Sequence, residues 1–359
     1  MIKKARLIKT FIDLVKIDSP SEHEDEIAKN LLSRLKKLGA KTDTDSYGNV
    51  FGFFEGIGDP FMLNSHMDTV EPGRGIKPQI KGDRIYSDGN TILGGDAKAG
   101  LTIILEALTS LVESGKKHIP INVVFTRGEE SGLFGAINLN YGKLRAKQGI
   151  TFDGDDDVSN VDISSPGYDR VDVTITGRGA HAGAEPERGI SAIKIASEII
   201  SKLKLGRIDF ETTANIGLIS GGSARNAVPE TVHFKGEVRS RDRKKLEKHT
   251  RHFEDVINNT MNKYPDASVN LVLEREFNPY RFEEQHPVID KIKKAFSELK
   301  IKPNLHETGG GSDVNIFHNH GLQSIVVGIG DYEAHTTREY VVISQMVQAA
   351  EFCEKIVLA

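Results

Sequence analysis

Residues 61–70 read FMLNSHMDTV, a short apolar run of about one strand's length that stops on His66 and, two residues on, Asp68. Three further stretches are built the same way. INVVFTRGEESG (121–132) runs into Glu129 and Glu130, ITFDGD (150–155) into Asp153, and SIVVGIGDYEAH (324–335) into His335. A fifth stretch, ILGGDAKAG (92–100), sets Asp96 just ahead of a helical pattern at Leu101–Ser114. In an open α/β sheet the crevice at the carboxyl ends of the strands is where ligands bind. Five nitrogen and oxygen donors converging there, with no cysteine competing, form a metal pattern, and the spacing reads as a two-metal hydrolase site.

Working outward from these stretches, Ile8, Phe11, Ile12 and Val15 recur at helical spacing. Ser21 with Glu24 matches a capping box for a second helix, whose apolar face is Ile27, Leu31, Leu35 and Leu38 and whose end is Gly39. Residues 41–55 read as a hairpin turning at SYGN. From about 60 to 153 strands alternate with helices, which is α/β wiring. The rhythm changes over 167–278. There RVDVTIT, SAIKIASEIISKLK, TANIGLIS, TVHFKGEVRS, KKLEKHTRHFEDVINNTMNKY and ASVNLVLERE give the order βαββαβ, a ferredoxin-like layer. The α/β pattern resumes with a helix at Val288–Leu299, the strand SIVVGIG and a helix at 342–358. The expectation is a catalytic domain made of 1–166 and 279–359 with a smaller α+β domain, 167–278, inserted into it.

The bulk composition bounds the function. The chain has 359 residues, 38% hydrophobic and 27% charged, with net charge −4 and a pI near 6.3. That balance lacks the basic footprint of a nucleic-acid binder, so no nucleic-acid partner is expected. The N-terminus MIKKARLIKTFIDLVKID has no unbroken apolar core and no stretch reaches the roughly 18 apolar residues of a membrane span, so neither secretion nor a membrane is expected. The single cysteine, Cys353, cannot form an internal disulfide and reads as a buried small apolar residue. A reducing, cytoplasmic location fits.

Each candidate has a plain structural reading beside the chemical one. H-x-D after a strand is also a polar turn. An acid before a helix is also favoured by the helix dipole. A Glu-Glu pair is also a solvated turn, although Gly128 and Gly132 flank this one. Asp153 opens DGDDD, which resembles a calcium loop but fails it, because Val158 and Ser164 stand where Gly and Glu are needed, and Asp155 to Asp157 read as solvated acids. Gly177-x-Gly179-x-x-Ala182 resembles a dinucleotide fingerprint, but EPERG interrupts the helix that would receive a pyrophosphate. There is no H-E-x-x-H and no G-x-S-x-G. The weight lies in the joint placement of the five. Within it, Asp68 points the same way as His66 and can accept its far N–H, as a carboxylate behind a metal-bound histidine does.

The order H-x-D, G-x-D-x-K-x-G, E-E, D, H resembles the di-zinc metallopeptidase family that includes peptidase T, carboxypeptidase G, aminoacylase and succinyl-diaminopimelate desuccinylase. The segments FDGD (152–155), GRGAHAG (177–183) and EAHTTREYV (333–341) resemble its peptidase T branch. The resemblance spans nearly the whole chain. It implies a mixed-sheet exopeptidase domain with an inserted ferredoxin-like lid that also serves dimerisation. It implies two divalent metal ions, zinc first and manganese or cobalt as alternatives. His66 and Asp153 would hold one, Glu130 and His335 the other, and Asp96 would bridge. Glu129 would be the general base acting on a metal-bridging hydroxide, with Asp68 supporting His66. His181 matches the lid histidine that contacts the oxyanion, in dimeric members from the neighbouring subunit. Arg239 and Asn226 resemble substrate-positioning residues, and HETGGGSDVNIF (306–317) a glycine-rich substrate loop. The implied activity is that of an aminopeptidase on short peptides such as tripeptides. An N-acyl amino-acid amidohydrolase or carboxypeptidase with the same chemistry is the alternative, and a non-catalytic binding protein is a third reading that the intact Glu129 opposes.

Overall fold

The computed structural model describes residues 1–358, which divide into two compact units. One comprises Met1–Ile163, Phe282–Glu307 and the chain from Ser312 onward; the other comprises Ser164–Arg281 and Thr308–Gly311.

The first unit is built on a mixed sheet. Its centre is four parallel strands in the spatial order Ile121–Thr126, Phe61–His66, Gln148–Asp155 and Gln323–Tyr332. Ile121–Thr126 and Phe61–His66 are buried at every position. That is the signature of parallel strands covered on both faces, and it is why these stretches read as continuous apolar runs rather than alternating ones. The hairpin Lys41–Thr44 and Val50–Phe54 closes one side antiparallel. The short strands Tyr340–Val342, Arg84–Tyr86 and Gln79–Lys81 close the other. Helix Gly95–Ser114 packs on the central strands and on helix Ile343–Ile356, burying Leu101, Ile103, Ile104, Leu105, Leu108 and Leu111. Side chains of this kind each contribute about 1.5–3 kcal/mol on burial.

Three local expectations need correction. Helix Gly95–Ser114 begins at Gly95 rather than Leu101, with non-helical backbone at Asp96 and Ala97 and a cis peptide between them. In the first helix, Lys4–Val15, the buried face is Leu7, Phe11, Leu14 and Val15, and Ile8 and Ile12 are only half-buried. Ser21 does not cap helix Asp25–Lys37: the N-cap is Glu24, and Ser21 Oγ donates instead to Asp68 at 2.7 Å.

The second unit has strands Gly167–Thr176, Thr212–Gly221, Thr231–Ser240 and Ser268–Phe277 and helices Ala192–Ile200 and Arg243–Met261. The antiparallel sheet order is Gly206–Arg207, Thr212–Gly221, Thr231–Ser240, Gly167–Thr176, Ser268–Phe277. This is the ferredoxin-like arrangement. Val171, Val173, Ile175 and Phe234 from the sheet meet Ile195, Ile199, Phe253 and Ile257 from the helices in one core.

Candidate functional site

The four parallel strands point their carboxyl ends the same way, and the candidate residues collect there. His66 ends its strand and is 1% exposed. Asp153 lies near the end of the neighbouring strand, Glu129 and Glu130 follow Ile121–Thr126, and His335 follows Gln323–Tyr332 with a left-handed φ of 63°. Asp96 enters from the start of the long helix.

Three sets of donor atoms lie within 4.8 Å of one another: His66 with Asp96 and Asp153, Asp96 with Glu130 and His335, and His66 with Glu129 and Glu130. His66 Nε2 stands 2.9 Å from Asp96 Oδ1 and 3.0 Å from Asp153 Oδ1. His335 Nε2 stands 3.1 Å from Asp96 Oδ2 and 2.9 Å from Glu130 Oε1. One ring N–H points along a single direction and serves one of two such oxygens well; Asp153 Oδ1 is accordingly buried without a hydrogen bond. A cation at each imidazole nitrogen satisfies both oxygens at once. The donor set therefore fits two divalent cations, with the two oxygens of Asp96 turned to different imidazoles.

Behind the donors, Asp68 is fully buried. Its Oδ1 lies 3.3 Å from His66 Nδ1 and accepts the Glu129 N–H at 3.0 Å, while Oδ2 accepts the Glu130 N–H at 3.2 Å. One carboxylate thus holds the backbone of both glutamates and stands beside the His66 ring. Burial, then the charge of Asp153, pushes Glu129 well above the usual carboxylate range. Burial and the charge of Asp96 raise Glu130, and burial pushes Asp153 up to about 7. Asp96 moves the other way: burial would raise it, but hydrogen bonds from His335 and His66 hold it low. Hydrogen bonds to Asp96 and Glu130 raise His335 to about 10. For His66, burial pulls down and is outweighed by the charge of Asp153 and by Asp68 and Asp96, so it too is raised.

Three buried acids at this site were not singled out from the sequence. Glu24 accepts from Arg127 and from the Gly128 N–H at 2.9 Å, fixing the turn that presents Glu129. Asp313, at the start of helix Asp313–Asn319, accepts from Thr126 Oγ1, and burial raises it to about 7. Glu339 binds the backbone around Asp96. Acids at helix starts and in loops are ordinarily solvated, so nothing in the sequence marks these three as buried.

His181, Asn226 and Arg239 belong to the second unit. His181 is exposed, and its Nδ1 accepts N–H bonds from Gly183 at 3.2 Å and Ala184 at 3.0 Å. The ring proton is therefore on Nε2, which makes His181 an outward donor. Asn226 is exposed, and its carbonyl accepts the Ala182 N–H at 2.9 Å. The Arg239 fork is taken by Glu237, at 3.1 Å from both Nε and Nη2, and the guanidinium lies 4.8 Å from the Tyr168 ring centre. Gly309 and Gly310 sit in open space or ordinary contact, whereas a Cβ on Gly311 would lie 2.2 Å from the Phe277 ring.

A family model described as the peptidase dimerisation domain of M20 matches residues 163–265. The chain is 36% identical to the uncharacterized protein YqjE of Bacillus subtilis over 99% of both chains. Its fold superimposes on the aminopeptidase PepT of Bacillus cereus with a TM-score of 0.91 and 36% identity, covering 99% of this chain and 98% of that one. A tripeptidase from Staphylococcus aureus gives a TM-score of 0.95 at 34% identity over the same shares. The chain belongs to the M20 peptidase family. As an M20 peptidase it is a hydrolase of peptide bonds, built as a catalytic α/β unit with an inserted α+β unit. No helix among the described residues is long and apolar enough to cross a membrane.

Proposed function

We propose that this M20 peptidase is an aminopeptidase of short peptides, with tripeptides as its substrate class, working with two zinc ions. His66 and Asp153 would hold one ion and Glu130 and His335 the other, with Asp96 shared between them. The observation that carries this reading is Asp96, with Oδ1 2.9 Å from His66 Nε2 and Oδ2 3.1 Å from His335 Nε2. Two bound divalent ions would lower the pKa of a water towards about 7 and polarise the scissile carbonyl.

The chain's own residues supply the proton path. Burial and the charge of Asp153 raise the proton affinity of the Glu129 carboxyl. It takes a proton from the attacking water and delivers it to the leaving amine, a role worth about 10²–10⁴-fold. His181, with its proton on Nε2, donates to the developing oxyanion. The acids Asp153 to Asp157 and Glu129 to Glu130 provide the negative potential that favours a free α-ammonium. Arg239 and Asn226 position the far end of the peptide in this reading. The bounds 1–166 with 279–359 and 167–278 serve as the catalytic and inserted functional domains, and the protein works in the cytoplasm.

A homodimer through the inserted unit completes the proposal. Among the described residues, the ladder on the outer side of strand Thr212–Gly221 covers Thr213 and Ala214, extended by the Ile208 N–H donating to the Thr212 carbonyl, and Leu218 and Ile219 farther along are 66% and 58% exposed. An open edge with exposed apolar residues is a template for pairing with a second copy.

The test is hydrolysis of a tripeptide and of its N-acetyl form with Zn, Mn or Co. Release of the first residue from the free peptide, with the blocked one slower by about tenfold or more, is the expected result, since losing a charge-assisted hydrogen bond costs about 1.5–3 kcal/mol. Equal or faster cleavage of the blocked compound moves the assignment to an amidohydrolase or carboxypeptidase.

A further inference from the structure

Glu339 lies four residues beyond His335 in HTTRE and is 1% exposed. Its Oε2 accepts the N–H groups of Leu93 at 2.6 Å and Gly94 at 2.8 Å, and its Oε1 accepts that of Asp96 at 3.1 Å. These donors lie at the entry of helix Gly95–Ser114, where amides have no partner within the helix and a negative charge is favoured. On its own side, the Glu339 N–H donates to the Thr336 carbonyl at 3.1 Å, closing a tight turn that starts one residue after His335. The turn before the helix is also closely packed: a Cβ on Gly95 would lie 2.2 Å from Asp331 Oδ1.

The two segments that Glu339 joins each deliver a donor to the centre, Asp96 from one and His335 from the other. Both oxygens of Glu339 are spent on backbone amides, so it is not itself a ligand. We infer that Glu339 is a positioning residue: its buried carboxylate locks the Leu93–Asp96 turn to the His335 loop, so that Asp96 turns one oxygen to each imidazole before any ion binds. This rests on Asp96 and His335 being metal ligands.

Glu339→Gln isolates one strut of the clamp. The amide oxygen can still serve Leu93 and Gly94, but the NH₂ group then faces the Asp96 N–H. Wild type, Glu339→Gln and Asp96→Ala are compared for metal content, for affinity against a competing chelator and for the visible absorption of the cobalt form. Wild type with two ions per chain and Asp96→Ala with fewer sustains the underlying ligand assignment; wild type without two ions removes it. Given that assignment, Glu339→Gln is expected to bind metal about 10–100-fold more weakly, the range for lost outer-shell partners, with an altered cobalt spectrum. Affinity within about twofold of wild type and an unchanged spectrum overturn the inference. Hydrogen exchange on wild-type protein stripped of metal decides the matter even if the variant does not fold. The amides of Leu93, Gly94 and Asp96 are expected to be slow to exchange there, and fast exchange that becomes slow only on adding zinc overturns the clamp.

Discussion

Gly100 lies so close to Phe152 that a Cβ on it would stand 2.1 Å from the Phe152 carbonyl oxygen. The same Cβ would meet Ser65 Oγ at 2.5 Å. Phe152 precedes Asp153 and Ser65 precedes His66, so this contact sets the distance between the long helix and the two strands that present those donors. It gives the last glycine of G-x-D-x-K-x-G a physical reason. Gly100→Ala is expected to cost about 1–3 kcal/mol, as overpacking does, and to weaken metal binding. Gly310→Ala, whose Cβ would meet only Thr308 Oγ1 at 3.6 Å, is expected to stay within about 0.5 kcal/mol. Denaturant melts of the two variants check this, and equal stabilities would refute the close-packing account.

The adjacent glutamates are expected to separate chemistry from binding. Glu130 Oε1 contacts His335, whereas burial and the charge of Asp153 raise the proton affinity of Glu129. Glu129→Gln should keep both metals and lose at least about 10²-fold in kcat. Glu130→Gln should lose metal. Elemental analysis with steady-state kinetics reads both, and the opposite pattern would exchange the two roles.

These strand-end residues were legible because a buried parallel strand is a continuous apolar run, and the polar residue that ends it lies at the crevice. FMLNSH and INVVFT show this directly. The βαββαβ order of the second unit was legible for a similar reason, through the alternation of RVDVTIT and the long helical repeat after Asp242. What failed was tertiary competition for a local motif. Ser21 and Glu24 carry the capping-box spacing, but Asp68 takes the hydroxyl and Arg127 with Gly128 takes the carboxylate. Likewise nothing local to Glu339 marks it, because its three partners lie more than 240 positions away.

Metal binding is expected to release protons. In the metal-free protein His335 is raised to about 10 by hydrogen bonds to Asp96 and Glu130, and His66 is raised against the pull of burial by Asp153 and its neighbours. A folded-state pKa above the ordinary 6.5 means that this pairing stabilises the metal-free fold fully below pH 6.5 and is lost as pH rises towards about 10. Metal competes with those protons, so affinity should climb steeply with pH over the same interval. Calorimetry in buffers of different ionisation enthalpy should give about two or more protons released per chain near pH 7. Release of none would contradict the paired imidazoles.

His181→Ala is expected to keep the fold and both metals and to lose most of kcat, as a contact made in the transition state does. Mixing inactive His181→Ala chains with inactive Glu129→Gln chains then asks whether the histidine acts across a dimer. Recovered activity assigns it to the partner's site. No recovery, with subunit exchange demonstrated, assigns it to its own.

The most direct measurement is anomalous diffraction at the zinc edge from crystals grown with zinc. The account predicts two peaks per chain about 3.5–4 Å apart. One should touch His66 and Asp153, the other Glu130 and His335, and each should touch one oxygen of Asp96. A single peak, or a pair that Asp96 does not bridge, would contradict it.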